Sequence, residues 1–343
     1  MNNIILTWLV FIGTAAAIFF SGKRLSTVAD KIGKVTGLGG AFVGVLLLPI
    51  VTTLPELSVT ISAIIIDAPN LALGNLFGSN LLNLSLIFFM DIAQGKGPIA
   101  KKLSFDHILA VSMLTIILTI ALTGIVEQEL FTIGHLGGSS LLIFFVYFVS
   151  HTIHYRYHKR NPNLSTDPVD SSEPPDERND SKNNTRSSES LKKLVFEFAV
   201  LGIIIIVSAR FLSGAADTIA ENTGLTEGLL GVVFLALSTS LPELVITLSA
   251  VKKGFFDQAF GSILGANILN MGLIFIVDTI YLKGPILQFS EQEIFNAAVI
   301  GILMTNVIAA GIIYRSKRSY FYLGIDAIVI LILYIIFLIS SIA

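Results

Sequence analysis

The sequence predicts an all-α membrane protein whose ten transmembrane helices form two inverted five-helix repeats. Of its 343 residues 53% are hydrophobic and only 13% are charged, whereas a soluble domain carries about 25% charged residues. The mean hydropathy is +0.80. The apolar residues are grouped in ten runs long enough to cross a bilayer. The two halves of the chain are also similar to each other at one constant offset.

The ten predicted spans follow one another through short connections, except in the middle of the chain. A helix needs about 17–25 apolar residues to cross the hydrocarbon core. The spans are roughly 4–21, 38–66, 70–92, 104–125, 131–150, 194–213, 225–251, 256–280, 293–314 and 321–342. No basic residue precedes the first span and no obvious cleavage site follows it, so we expect a retained helix rather than a signal peptide.

The charges between the spans predict the orientation in the membrane. Lys and Arg are concentrated after the odd-numbered spans, as at Lys23 and Arg24 after the first. An excess of basic residues marks the cytoplasmic side, so both termini are expected outside. The long polar segment 151–193 is then cytoplasmic. Its Ser, Pro, Asn, Asp and Glu content predicts a disordered linker between a first half (1–150) and a second half (194–343).

An internal repeat relates the two halves. Residues 21–98 align without gaps to residues 208–285, and 33 of the 78 positions are identical. Because each half has five spans, an odd number, the second half is expected to enter the membrane from the opposite side. Inverted repeats with ion sites at their midplane interface are typical of secondary transporters.

The most similar segments of the repeat are TTLPELSVTISA (52–63) and TSLPELVITLSA (239–250). Pro55 and Pro242 each remove a backbone donor and are expected to disturb the preceding turn, which frees carbonyl oxygens. Glu56 and Glu243 lie near the middle of their spans, where an ionisable residue indicates an ion or proton site. Hydroxyl oxygens beside them come from Thr52, Thr53, Thr239 and Ser240. Oxygen ligands of this kind suit Ca²⁺, and equally Na⁺.

A second pair of blocks lies in the third and eighth spans: GNLFGSNLLN (74–83) and GSILGANILN (261–270). Their small residues allow close helix approach. The amide oxygens could ligate a cation or hydrogen-bond the glutamates. We interpret Asn83 and Asn270 as ligands, and Asn80 and Asn267 as contacts between helices. Asp91 and Asp278, near the ends of these spans, are interpreted as interfacial or helix-end charges.

The paired (T/S)LPE and G-x-x-x-G-(S/A)-N-x-x-N blocks resemble the two alpha repeats of the cation/calcium antiporters, the sodium/calcium exchanger superfamily. The alpha-1 motif would cover 37–83 and the alpha-2 motif 224–270. Ten spans, outside termini and a central cytoplasmic loop also fit prokaryotic members. The resemblance implies a transporter rather than an enzyme, with Ca²⁺ and Na⁺ as substrates and no cofactor. It also implies that the first and sixth helices slide as a unit against the other eight.

The resemblance implies four cation sites at the centre of the molecule. Glu56 and Glu243 would be the principal calcium ligands, shared with sodium. The remaining ligands would be the hydroxyls and carbonyls of Thr52 and Thr239, the hydroxyls of Thr53, Ser79 and Ser240, the carbonyls of Pro49 and Ala236, and the amides of Asn83 and Asn270.

Three positions depart from the family pattern. Asn270 stands where some prokaryotic members carry an aspartate, which leaves two central carboxylates and argues against potassium co-transport. Ala266 lacks the serine hydroxyl often found there, and Pro49 replaces a small residue. The last two affect the expected sodium affinity and stoichiometry more than calcium binding.

Sodium/calcium exchange is therefore the leading hypothesis, and proton/calcium exchange on the same fold is the nearest alternative. A cation channel is a more distant one, because two inverted halves favour alternation over a symmetric pore. The chain has no HExxH zinc pattern, phosphate-binding loop or EF-hand pattern, which argues against an enzyme or a calcium sensor. The expected surroundings are the lipid bilayer, without nucleic acid or an obligatory protein partner.

Overall fold

The computed structural model of the protein describes residues 4–36, 53–95, 97–160, 191–252, 254–315 and 322–342. Within these ranges the architecture is all-α apart from one small hairpin. The helices of twelve or more residues are α1 (Ile4–Thr36), α2 (Leu54–Ile65), α3 (Pro69–Gln94), α4 (His107–Val126), α5 (Gly138–Arg160), α6 (Leu191–Thr223), α7 (Glu227–Lys252), α8 (Phe256–Ile280), α9 (Gln292–Tyr314) and α10 (Ile325–Ile342).

Seven of these helices are long and apolar enough to cross a membrane: α1, α3, α4, α6, α7, α8 and α9. The apolar segments Leu54–Ile65, Gly138–Ser150 and Ile325–Ser341 of α2, α5 and α10 are shorter. The chain is thus a multi-pass membrane protein. Crossing by all ten helices, in two inverted repeats, stays a prediction.

The repeat seen in the sequence is also present in the element boundaries. Helices α3 and α8 begin at Pro69 and Phe256, and α5 and α10 begin at Gly138 and Ile325. Both differences (256 − 69 and 325 − 138) equal 187, the offset of the sequence repeat. The one-turn 3₁₀ helices that follow α3 and α8, Ile99–Lys101 and Ile286–Phe289, are separated by the same number.

Helices α3 and α8 form the centre of the molecule, and α1 and α6 lie at its periphery. In the most apolar stretch of α3, 72% of the residues are buried, and in α8 67%. The corresponding values are 17% for α1 and 28% for α6. The central pair therefore packs against protein on nearly all sides, whereas α1 and α6 present most of their apolar surface outwards, where lipid can cover it.

Two buried aspartates fasten the connections around this centre. Asp91, at the end of α3, accepts hydrogen bonds from the backbone N–H groups of Ile99 (2.7 Å) and Gly324 (2.7 Å). Asp278, at the end of α8, accepts them from Ile286 (2.7 Å) and Gly137 (2.8 Å). Each residue of one set is 187 positions from its counterpart in the other. In each set the aspartate belongs to one half and one of its donors to the other half.

The fifth predicted span, 131–150, is wrong at its start. Residues 132–137 form a small antiparallel hairpin that pairs Thr132 with Gly137 and Ile133 with Leu136. Its turn contains Gly134 at φ 66°, a conformation that glycine adopts without strain. Helix α5 starts only at Gly138.

The predicted start of the linker at residue 151 is also wrong. Helix α5 continues through the polar residues 151–160 to Arg160. Hydropathy marks where a helix leaves an apolar environment, and polar residues such as Arg and Lys can continue the helix beyond that point. At the other end of the predicted linker, residues 191–193 belong to α6. Residues 161–190 lie outside the described residues.

Pro242 lies inside the continuous α-helical part of α7, Ala236–Lys252, so the helix is not interrupted there. The missing N–H of Pro242 still leaves one carbonyl of the preceding turn without its helical donor. The irregular backbone comes earlier, in a π-helical segment at Leu230–Leu235. π segments are often found at functional sites because they redirect the residues that follow. Pro55 lies in the first turn of α2, where a missing N–H costs little.

Candidate functional site

The first motif places a buried carboxylate at the start of α2. Glu56 lies in the first turn of this helix and is 1% exposed. Its Oε1 atom accepts a hydrogen bond from the hydroxyl of Ser240 at 3.1 Å. Ser240 belongs to the second motif and lies one helical turn before Glu243. This contact therefore brings the two motifs, 187 residues apart in the sequence, to one place.

The second motif contributes two hydroxyls and the second carboxylate from α7. Thr239, Ser240 and Glu243 are all buried. The hydroxyl of Thr239 lies 3.4 Å from the hydroxyl of Ser79 on α3 and 3.3 Å from the carbonyl oxygen of Ala236. Three neutral oxygens from α3 and α7 thus lie together beside the glutamates.

The amides of the third and eighth helices form a set of hydrogen bonds with one another. Asn80 donates to the carbonyl oxygen of Asn267 (3.3 Å), and Asn267 donates to that of Asn80 (3.2 Å). These reciprocal bonds tie α3 to α8. Asn83 donates to the side-chain oxygen of Asn267 at 2.9 Å, and its own side-chain oxygen stays available.

Several buried polar atoms of the site have no hydrogen-bond partner within the part of the chain that the structure describes. They include Glu56 Oε2, Asn80 Oδ1, Asn83 Oδ1 and both side-chain polar atoms of Asn270. A buried polar atom without a partner is costly, and it indicates a strained, functional or ion-binding position. An oxygen-rich centre with free acceptor capacity can hold a hard cation such as Ca²⁺ or Na⁺.

The ligand types also limit which cation fits. In the described ranges no group of three or more His, Cys, Asp or Glu side chains could hold a metal ion. The remaining ligands around Glu56 and Glu243 would therefore be hydroxyls, amides and carbonyls. Without imidazole or thiolate, zinc and copper are poor candidates.

The structure places nine of the eleven sequence-predicted ligands. Pro49 and Thr52 lie outside the described residues. Thr53 directly precedes α2 and is 3% exposed. The other eight are buried on α2, α3, α7 and α8: Glu56, Ser79, Asn83, Ala236, Thr239, Ser240, Glu243 and Asn270. Ala266, which lacks the hydroxyl expected there, is buried as well. Ion binding by these residues stays a prediction.

One polar residue of this region was not predicted from the sequence. Asn75, on α3, is fully buried and lies between the two motifs. It bonds the backbone of Glu56 on one side and the hydroxyl of Thr239 on the other. The repeat concealed it, because the residue 187 positions later is Ser262 and the two positions are therefore not an identical pair.

Comparison with known proteins identifies the family. The family model described as "Sodium/calcium exchanger protein" matches residues 6–153 and 193–343. The sodium/calcium exchanger MaX1 of Methanosarcina acetivorans is 25% identical over 355 aligned positions, which cover 98% of this chain and 97% of that one.

Solved structures show the same fold. The crystal structure of an H⁺/Ca²⁺ exchanger, CAX, superposes with a TM-score of 0.64 at 14% identity, covering 98% of this chain and 86% of that one. The sodium-calcium exchanger NCX_Mj, soaked with Na⁺ and Sr²⁺, superposes with a TM-score of 0.58 at 18% identity, covering 98% and 99%. Because the family model matches nearly the whole chain outside its central segment, this protein belongs to the sodium/calcium exchanger family of cation/calcium antiporters.

Proposed function

We propose that this antiporter exchanges Na⁺ for Ca²⁺ by alternating access and extrudes calcium as sodium enters. The observation that carries the proposal is the hydrogen bond between Ser240 and Glu56. It joins the two motifs, so that Glu243, one turn from Ser240, belongs to the same buried polar centre as Glu56.

The charge of this centre supports exchange rather than simple binding. Two glutamates balance one Ca²⁺ or two Na⁺, so the two ions compete for the same negative charge. An empty site with two buried carboxylates is costly in a low dielectric and should resist closure. The protein would therefore change its access only when loaded with one ion or the other, which couples the two fluxes.

The contacts between the loops support the proposed inverted topology. One group of connections is joined by Gly137–Asp278, by Glu291–Asn70 and by the exposed ion pair of Lys283 with Asp67. These loops follow even-numbered helices and would lie outside.

A second group of connections is joined by Gly324–Asp91, Ser104–Asp257 and Arg315–Leu103. These loops follow odd-numbered helices and would lie in the cytoplasm. Each of these contacts between described residues thus joins two connections assigned to the same side, as two inverted five-helix repeats require.

The packing of α1 supports a moving unit. Helices α1 and α6 lie at the periphery, as a pair that slides against the other eight requires. Trp8 on α1 contacts Phe234, with ring centroids 5.7 Å apart. Phe234 belongs to the π-helical segment directly before Ala236, so a movement of α1 would be transmitted to the backbone of the site.

Sequence similarity favours sodium as the coupling ion. MaX1, at 25% identity over nearly the full length, is named a sodium/calcium exchanger. The H⁺/Ca²⁺ exchanger CAX has the same fold, but 14% identity supports the fold alone. Proton coupling is therefore the alternative that the experiment must exclude.

The test is uptake of radioactive calcium into proteoliposomes loaded with sodium and diluted into sodium-free buffer at equal pH on both sides. We expect uptake that requires internal sodium and is abolished by Glu56→Gln or Glu243→Gln. Glu221→Gln, which removes an exposed carboxylate outside the site, is the matched control and should leave uptake unchanged.

Two results would contradict the proposal. Uptake that appears only with an imposed pH gradient would move the protein to proton coupling. Full sodium-driven uptake in Glu56→Gln or Glu243→Gln would show that the carboxylates are not the ion site.

A further inference from the structure

We propose that Asn75 is a positioning residue that orients the hydroxyl of Thr239 for sodium, an inference that rests on the proposed sodium/calcium exchange. Asn75 is 0% exposed and lies on α3 between the helices that carry the two motifs. It is outside the ligand set predicted from the sequence.

The amide of Asn75 contacts both motifs at once. Its Nδ2 atom donates to the hydroxyl of Thr60 (3.0 Å) and to the carbonyl oxygen of Glu56 (3.3 Å), both on α2. Its Oδ1 atom accepts from the hydroxyl of Thr239 on α7 (3.3 Å). One side chain therefore fixes α2 relative to α7, with every contact on a residue of the ion site or one helical turn from it.

The direction of the Thr239 proton decides whether this hydroxyl can bind a cation. A hydroxyl has one proton and two lone pairs, and a cation binds the lone pairs, so the proton must point elsewhere. The acceptors within reach include Asn75 Oδ1 (3.3 Å), the carbonyls of Leu235 (3.1 Å) and Ala236 (3.3 Å), and the hydroxyl of Ser79 (3.4 Å). Donation to Ala236 would occupy an oxygen that is itself a predicted ligand. Donation to Asn75 or to Leu235 leaves both oxygens free for the ion, and donation to Asn75 also ties the hydroxyl to the side chain that contacts α2.

Sodium should depend on this arrangement more than calcium does. Ser79, Thr239 and Ala236 offer neutral oxygens, whereas Glu56 and Glu243 offer charge. The interaction with a carboxylate scales with the charge of the ion, so the glutamates hold Ca²⁺ strongly even when a hydroxyl is turned away. Na⁺, with one charge, loses a larger fraction of its binding energy when the same hydroxyl is lost.

The internal repeat provides matched controls, because the residues at the equivalent positions of the second half differ from the Asn75–Thr60 pair. The counterpart of Asn75 is Ser262, and the counterpart of Thr60 is Thr247. A serine side chain is too short to span two helices as the amide does. Positions 262 and 247 therefore provide controls with equivalent places in the repeat but without the bridge.

The experiment compares Asn75→Ala with Ser262→Ala in proteoliposomes, with sodium and calcium varied separately. We expect Asn75→Ala to raise the KM for internal sodium roughly fivefold or more, the effect of one hydrogen bond of ordinary strength. The KM for external calcium should change by less than about twofold, because the carboxylates remain. Ser262→Ala should change neither. Thermal stabilisation of the detergent-solubilised protein by NaCl, with choline chloride as the reference salt, measures the same sodium affinity at equilibrium.

A second pair of variants keeps the inference testable if Asn75→Ala does not fold. Thr60→Val keeps the shape of the side chain and removes one acceptor of the Asn75 amide, so it should raise the sodium KM in the same direction but less. Thr247→Val should not. Equal changes in both KM values, or an unchanged sodium KM in the Asn75 and Thr60 variants, would overturn the role of Asn75 and leave the proposed sodium/calcium exchange standing. Absence of sodium-driven uptake in the unmodified protein would overturn the proposed coupling and this inference together.

Discussion

At the scale of single residues, the hydrogen bonds divide the buried carboxylates into two kinds. Asp91 and Asp278 use both oxygens on backbone N–H groups of the loops. Glu56 uses one side-chain oxygen on Ser240, and the other has no partner in the described part of the chain. Hydrogen bonds from backbone donors satisfy a charge locally, so the aspartates are structural and the glutamate keeps capacity for an ion.

Glu129, in the connection between α4 and α5, predicts a pH dependence of stability. Burial raises the pKa of this carboxyl above its ordinary value of 4.5, although its Oε2 atom accepts from the backbone N–H of Ser139 at 2.8 Å. A group whose pKa is raised by folding contributes stability below its unfolded pKa and loses that contribution as the pH rises through the folded pKa. The melting temperature of the unmodified protein should therefore fall relative to Glu129→Gln as the pH rises from 4.5.

The measurement is the melting temperature of both proteins in detergent across pH 4.5 to 8. Glu127→Gln, an exposed carboxylate two residues earlier, serves as the control and should follow the unmodified protein. A constant difference between Glu129→Gln and the unmodified protein at every pH would show that the ionisation of Glu129 does not matter for folding.

At the scale of elements, the glycines of α3 determine how close the π-helical segment of α7 can come to the centre. A methyl group at Gly78 would lie 2.3 Å from the carbonyl oxygen of Val232, and one at Gly74 would lie 2.8 Å from that of Gly228. These neighbours are backbone atoms, which cannot rotate away. The sequence predicted a close approach from the small residues, but it predicted neither the partner segment nor its π conformation, because both depend on long-range packing.

Gly78→Ala should therefore displace Leu230–Leu235 and, with it, Thr239 and Ser240. We expect a loss of most exchange activity. We also expect a lower melting temperature, because overpacking of a core reduces the free energy of unfolding by about 1–3 kcal/mol. Calcium uptake in proteoliposomes and thermal unfolding in detergent measure the two effects. Gly301→Ala is the control, since its methyl group would meet only flexible leucine side chains, the nearest that of Leu118 at 3.3 Å. Normal uptake by Gly78→Ala would show that the close crossing is not required.

At the scale of the whole molecule, the duplication made the spans and motifs predictable, whereas features that differ between the two halves were not predicted. A constant offset of 187 residues paired the spans and identified both motifs from the sequence, because a repeated core must satisfy the same packing twice. Asn75 was missed for the same reason, because its counterpart in the repeat is a different residue, Ser262. The hairpin at Thr132–Gly137 was missed because short strands carry little hydrophobic periodicity.

The inverted orientation of the two halves leads to the last prediction, which concerns positions that the repeat makes equivalent. Phe105, before α4, and Gln292, at the start of α9, are 187 residues apart, and both are exposed. If the repeats are inverted, these positions lie on opposite sides of the membrane.

The chain has no cysteine, so Phe105→Cys and Gln292→Cys each carry a single reactive thiol. A membrane-impermeant maleimide added to right-side-out vesicles should label the cysteine at 292 directly. It should label the cysteine at 105, and that of Ser165→Cys in the linker, only after permeabilisation. Labelling of positions 105 and 292 from the same side would exclude an inverted repeat, and with it a single site exposed alternately by two related halves.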